Sequence, residues 1–210
     1  MSKMLVLNAH PNSYSTSSVS LKVLDRFLKS YAELNSDNSV ELLNLYDENI
    51  PAVDRIVLKA WEKQAKGEPY TSEEQRVMDR MSEILQQFIG AKKLVIVMPL
   101  HNFNIPSKLK DYMDNIIIPR KTYRFTEKGS VGMLNDGRSV LVIQGSGSIY
   151  TNNNWYTDVE FSHKYLKSMF EFLGFDEYRI IRAEGTALLN EEDILAKAYK
   201  EAEEAALRMA

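Results

Sequence analysis

The sequence predicts an α/β fold in which one parallel, five-stranded sheet carries helices on both faces. Short apolar runs rich in β-branched residues recur along the chain, the signature of strands buried on both sides. Longer stretches with apolar residues at helical spacing separate them, as crossover connections require. The runs end in hydroxyl, amide, glycine or proline residues, the chemistry of loops.

The elements follow in order. Lys3–Asn8 (K-M-L-V-L-N) reads as the first strand, ending in Ala9-His10-Pro11-Asn12 and a hydroxyl-rich loop from Ser13 to Ser18. Val19, Leu21, Val23, Leu24, Phe27 and Leu28 then recur at helical spacing, giving a helix over roughly Ser17–Leu34. Hydroxyls and free amides at a helix N-terminus suit an anion. Ser39–Asn44 is the second strand, and a short helix is expected over Arg55–Lys66. Thr71 and Glu74 form a capping box that opens a helix through Phe88, closing at Gly90.

The third strand lies in Lys93–Pro106, with Leu94–Met98 as its buried core. Pro99 cannot continue a central strand, so the chain leaves the sheet there into a loop of Leu100, His101, Asn102, Phe103, Asn104 and Ile105. Ser107 is expected to cap a helix over Lys108–Ile117. Beyond Pro119, Tyr123–Thr126 and Gly129–Leu134 read as an irregular hairpin or flap. Ser139–Gln144 is the fourth strand, running into Gly145-Ser146-Gly147-Ser148, small residues that let a backbone approach a ligand. Asn152–Asn154 reads as a polar loop. A helix over Phe161–Leu173 stops at Gly174, Tyr178–Ala183 is the fifth strand, and Glu191–Met209 is a terminal helix.

In such sheets ligands sit beyond the carboxyl ends of the strands, where the strand order reverses. With the flavodoxin-like order 2-1-3-4-5, that crevice lies between the first and third strands. The hydroxyl loop and the His101–Asn104 loop would share it, with Gly145–Ser148 on the other wall. An aromatic- and amide-rich loop suits a flat ligand with a heteroatom edge.

Composition narrows the function. The 210 residues, with no internal repeat or linker, fit one domain over 1–210. A net charge of -3 without a dense basic cluster gives no electrostatic reason to expect nucleic acid. The absence of cysteine removes disulfides, thiolate catalysis and cysteine metal sites. No run approaches membrane-spanning length and no signal-peptide pattern opens the chain, so the expected location is cytoplasmic. His10, His101 and His163 show no metal spacing, and no metal is expected. His163 reads as a packing or hydrogen-bonding residue, Trp61 and Trp155 as core or interface packing, and Lys63 as part of a solvated helix face. There is no P-loop, no dinucleotide fingerprint and no nucleophile elbow. Asn8 and Pro99 stand where a phospho-acceptor domain would carry acids.

The chain resembles the FMN-dependent NADH azoreductases, also described as NADH:quinone oxidoreductases, of the flavodoxin-like superfamily. The resemblance runs from Met1-Ser2-Lys3 with Ala9-His10-Pro11 to Ala183-Glu184-Gly185. Its most specific pieces are Asn102-Phe103-Asn104-Ile105-Pro106 with Leu109-Lys110, Lys121–Thr126 with Gly129, and Phe172-Leu173-Gly174. It implies an FMN phosphate site at His10, Ser15, Thr16 and Ser17. It implies a ring loop at Leu100, His101, Asn102 and Phe103, and a second ring-side loop at Gly145, Ser146, Gly147 and Ser148. Leu100 stands where the family often has Met, an apolar exchange. Gly145–Ser148 replaces a common Ser-x-Gly-Gly pattern, so backbone contacts are expected there more than side-chain ones.

The resemblance further implies a homodimer with two FMN sites completed across the interface, and Phe103 and Phe125 in the substrate pocket. The implied chemistry is ping-pong hydride transfer on the flavin from NADH or NADPH to a quinone, or in two cycles to an azo compound. No protein nucleophile is required; His101 is a candidate hydrogen-bond or proton donor to the acceptor. The competing reading is a flavodoxin-like FMN electron carrier without NADH-dependent turnover of its own.

Overall fold

A computed structural model describes residues 4–35 and 40–210. Lys3 and Ser39, expected to open the first two strands, lie outside the described residues. In chain order the elements are β1 (Met4–Asn8), α1 (Val19–Leu34), β2 (Val40–Asn44), α2 (Arg55–Lys66), α3 (Ser72–Gly90), β3 (Lys93–Pro99) and α4 (Ser107–Ile116). There follow β4 (Tyr123–Thr126), β5 (Gly129–Gly132), β6 (Ser139–Ser146), α5 (Trp155–Asp158), α6 (Phe161–Leu173), β7 (Glu177–Glu184) and α7 (Glu191–Met209).

The main sheet is parallel throughout, in the order β2-β1-β3-β6-β7, which is the order the sequence predicts. Side-chain alternation divides its core in two. Leu5, Leu7, Leu94, Ile96, Val140 and Val142 point to one face and pack with Phe88, Leu109, Met113 and Phe170 of α3, α4 and α6. Val6, Val95, Val97, Leu141 and Ile143 point to the other, under Val23 and Phe27 of α1 and the Ala198, Ala202 and Ala206 stripe of α7. A fully buried side chain of this kind contributes about 1.5–3 kcal/mol, so both layers are driven by the same strands.

Local signals hold with three corrections. Thr71 and Glu74 do form the capping box, and the Glu74 carboxylate also receives Lys63 Nζ at 2.6 Å. Lys63 is therefore tied to a buried carboxylate, not merely solvated. Ser107 does not cap α4: Pro106 holds the cap position with no side-chain hydrogen bond, because proline's fixed backbone already suits that boundary. Asn152–Asn154 is not only a loop, since the Asn154 side chain accepts from Tyr156 N–H at 3.0 Å and starts α5.

The flap is a regular antiparallel hairpin of β4 and β5, apart from the main sheet. It docks at the C-terminal end of α6: Leu134 N–H donates to Leu173 O at 2.9 Å, and Tyr123 packs on Phe172. Nearby, buried Arg138 donates to Ala91 O at 2.7 Å at the end of α3 while pairing with Asp136.

Candidate functional site

The site follows from where adjacent strands send their chains. The α1 connection leaves β1 toward β2, whereas α4 leaves β3 toward β6, so the two paths diverge and open a crevice at the carboxyl ends. Backbone bonds stiffen its floor: Ala9 N–H to Val97 O (2.8 Å), Leu45 N–H to Asn8 O (2.9 Å) and Leu100 N–H to Gly145 O (2.7 Å). A cleft of about 430 Å³ lies there, within the size range of small-molecule sites. His10, Ser15, Ser17, Leu100, Gly145, Ser146 and Gly147, all anticipated from the sequence, line it. So do Ser18, Val19, Ser20, Pro99, Thr186 and Glu191, which were not anticipated.

The hydroxyl wall is built by a relay of amides. Asn44 Oδ1 accepts from Asn8 Nδ2 (3.1 Å), Asn8 Oδ1 accepts from His10 N–H (3.0 Å), and His10 Nδ1 accepts from Asn12 N–H (3.1 Å). Partial burial lowers the His10 pKa, which favours the neutral ring. With Nδ1 accepting, the ring proton sits on Nε2 as a donor. Ser18 caps α1 through Leu21 N–H, and Ser15 and Ser17 hydroxyls lie 3.2 Å apart. Hydroxyls and unpaired amides at the positive end of a 16-residue helix fit a phosphate.

The ring-side wall turns at His101–Asn104. Reciprocal backbone bonds, His101 N–H to Asn104 O and Asn104 N–H to His101 O, both 2.9 Å, close a two-residue loop. Its central residues, Asn102 and Phe103, have φ of 47° and 65°. This primed-turn geometry favours Asn or Gly. Asn102 tolerates it; Phe103 holds it at a cost of about 1 kcal/mol or more. What pins Phe103 is visible. Its carbonyl accepts from Ser162 N–H at 3.2 Å, and its ring meets Trp155 edge-on at 5.4 Å. Trp155 is 59% exposed, which removes the core-packing reading of that residue.

A buried polar chain stands behind this turn. Ser162 Oγ donates to Gln144 Oε1 (2.7 Å), Gln144 Nε2 donates to Glu160 Oε1 (2.9 Å), and Arg182 grips Glu160 through two nitrogens (2.7 and 2.9 Å). His163, as expected, is a hydrogen-bonding residue, with Nδ1 3.2 Å from Tyr178 OH. Burial lowers the His163 pKa.

The third wall differs from expectation in its glycine chemistry. Gly145 and Ser146 end β6, and a Cβ at Gly145 would lie 3.2 Å from Val19 Cγ2 and 3.3 Å from Ser20 Cβ. What presses on Gly145 is therefore the first turn of α1. The next residues are laddered to the loop after β7: Thr186 N–H to Ser146 O (3.2 Å) and Ala187 N–H to Gly147 O (3.1 Å). Buried Glu184 accepts from Tyr150 N–H (2.7 Å), fixing the following segment.

Thr16, His101, Asn102, Phe103 and Ser148 flank the cleft in sequence but do not line it. Phe125 is remote. Ser162 at the start of α6 touches Phe103 while Leu173 at its end touches the hairpin segment, and 13 helical residues span about 20 Å. Phe125 instead borders a second, apolar hollow with Trp61, Ile117, Ile118 and Tyr123. Of the unanticipated residues, Thr186 was reachable, because the chain after the fifth strand must also emerge at the carboxyl edge. Glu191, inside an acidic helix start, carried no such signal.

The hydroxyl wall with its helix amides, the apolar Pro99–Leu100 wall and the small-residue wall have the donor and apolar chemistry that FMN requires. Among the described residues no group of three or more His, Cys, Asp or Glu is arranged to hold a metal ion. No helix among them is long and apolar enough to cross a membrane.

Comparison with known proteins agrees with this geometry. A family model described as "Flavodoxin-like fold" matches residues 2–206. FMN-dependent NADH:quinone oxidoreductase 1 of Bacillus anthracis is 63% identical over 211 residues, covering 100% of this chain and 96% of that protein. The protein of the same name from Lactiplantibacillus plantarum is 46% identical over 187 residues, 88% of this chain and 87% of its own. The crystal structure of a FMN-dependent NADH-azoreductase from Bacillus anthracis in complex with FMN superposes with a TM-score of 0.98 at 62% identity, covering 100% of both chains.

Proposed function

The chain belongs to the flavodoxin-like fold family whose model it matches over residues 2–206, and from that premise we propose an FMN-dependent NADH:quinone oxidoreductase that also cleaves aromatic azo compounds. One observation carries the reading: a single cleft joins the hydroxyl-rich start of α1 to Pro99–Leu100 and to Gly145–Gly147 at the sheet's switch point. Relatives 62–63% identical over the whole chain, bearing these activities in their names, support it.

Bound FMN would supply two-electron hydride chemistry between NADH and the acceptor, one cycle for a quinone and two for an azo bond. The residues supply everything around that exchange. Ser15, Ser17 and the α1 amides hold the phosphate, with His10 Nε2–H as a further donor. Leu100 covers a ring face. The backbone of Gly145–Gly147, on the cleft wall, would supply donors to negative charge on a reduced ring. His101, exposed at the base of the turn, is the candidate hydrogen-bond or proton donor to an acceptor.

The working unit is a homodimer, located in the cytoplasm with its nicotinamide donor. Phe125 is 69% exposed, on the hairpin held at the far end of α6 from the Phe103 turn. It reaches a substrate pocket only from a second copy, where Phe103 and the partner hairpin would enclose the acceptor. The test is anaerobic mixing of the yellow holoprotein with NADH. The visible flavin band should bleach rapidly and return when a quinone is added. A flavin that NADH leaves oxidised would overturn the enzyme reading in favour of an electron carrier.

A further inference from the structure

The cofactor reading leaves one cleft residue without a role. Glu191, a carboxylate, lines the same cleft as Ser15, Ser17 and Ser18. A negative charge on the wall of a phosphate site opposes its ligand, so its retention there calls for a reason. Glu191 sits in the first turn of α7, with Asn190 as the cap and Glu192 and Asp193 beside it. Lys22 of α1 pairs with it directly. Lys22 lies one turn above the cap of α1, its N–H bonded to Ser18 O at 3.0 Å. The two parallel helices are joined again further along by Arg26 and Glu203 at 2.7 Å, so the Lys22–Glu191 clasp holds the mouth ends of α1 and α7 together.

We infer that the Lys22–Glu191 pair sets the charge the flavin tail is allowed to carry, admitting one terminal phosphate and disfavouring a dinucleotide tail. The inference rests on the FMN reading of the cleft. The pair is neutral as a unit, so the attraction for a single phosphate comes from the α1 amides and hydroxyls. A flavin adenine dinucleotide tail brings a second phosphate into the cleft whose wall carries the Glu191 carboxylate, which repels the added charge. Lys22 prevents the same carboxylate from repelling the first phosphate.

The side chains of Lys22 and Glu191 are 30% and 52% exposed, so solvent screens the effect and the expected changes are modest. The test uses the full chain freed of flavin, titrated with riboflavin, FMN and FAD by flavin fluorescence. Glu191→Gln should tighten FMN about two- to five-fold, the size of a half-exposed charge interaction. FAD should gain more than FMN, while uncharged riboflavin stays unchanged. Lys22→Met, which exposes an uncompensated carboxylate, should weaken FMN by a similar factor and leave riboflavin unchanged. Both effects should shrink as salt is raised. Equal shifts for FMN and FAD, a matching shift for riboflavin, or no shift for FMN in either variant would overturn the inference. Failure of the unaltered chain to bind FMN at all would instead overturn the cofactor reading.

Discussion

Arg182→Met tests whether the polar chain behind the ring-side turn is what holds that turn. In the native fold Arg182 makes two bonds to Glu160, at 2.7 and 2.9 Å, and the two side chains are 19% and 5% exposed. Each charge-assisted bond contributes about 1.5–3 kcal/mol, and removing one partner of a buried pair costs about 3–5 kcal/mol. Water can reach the Arg182 side, so the lower end applies, about 3 kcal/mol. That is a large share of the roughly 5–15 kcal/mol that holds a domain folded. In urea, with a slope of about 3 kcal/mol per molar for a chain of this size, the midpoint should fall by about 1 M. Methionine preserves the apolar stem, so the loss reads the charge. Adding Glu160→Gln keeps an acceptor for Gln144 and removes the stranded charge, so the double variant should recover at least half of the loss. FMN affinity should fall with the single variant, because Ser162 and hence the Phe103 carbonyl lose their support. A single-variant loss below about 1 kcal/mol, or a double variant worse than the single, would refute the reasoning.

Other outcomes follow from the same geometry. Ser17→Ala should weaken FMN binding about tenfold or more, the cost of a hydrogen bond to a charged group; Thr16→Ala, whose side chain is off the cleft, should leave the dissociation constant nearly unchanged in the same titration. Phe103→Asn should relieve about 1 kcal/mol of backbone strain while losing about 0.5–1.5 kcal/mol of ring packing on Trp155, leaving the urea midpoint close to native but lowering turnover with bulky quinones. Hydrogen bonds from Arg138, then Lys92, hold the Asp136 pKa down to about 2. Its folded pKa lies below its unfolded one, so its contribution is complete above about pH 4 and drains away as pH falls toward 2. With that carboxylate 46% exposed, acid titration of the urea midpoint against Asp136→Asn should separate the two by less than about 1 kcal/mol.

Most of the architecture was legible in the sequence because period-2 burial and helical spacing are local patterns. Strand order followed from the general geometry of such sheets, and Thr71–Glu74 announced its own helix. What escaped depended on contacts far apart in sequence. Ser107 had the chemistry of a cap, yet Pro106 occupied the boundary. Gly145 was legible as a position needing no side chain, but the neighbour pressing on it is α1, more than a hundred residues earlier. The hydroxyl loop could be assigned as a whole, whereas which of its members face the cleft is set by the exact start of α1. Ser18, the cap of α1, lines the cleft and Thr16 does not. Nothing local distinguished Glu191 from the other acids that open α7.

The contact of Gly145 with Val19 and Ser20 gives the two ends of the cleft unequal stiffness. At the tail end the spiral is seated against the sheet with no slack, so an occupant must conform to the protein. At the ring end the wall is an exposed turn and a half-bare indole, and there the protein leaves room for the occupant. Such a molecule should be fastidious about the coenzyme it keeps and indifferent to the shape of the compound it reduces.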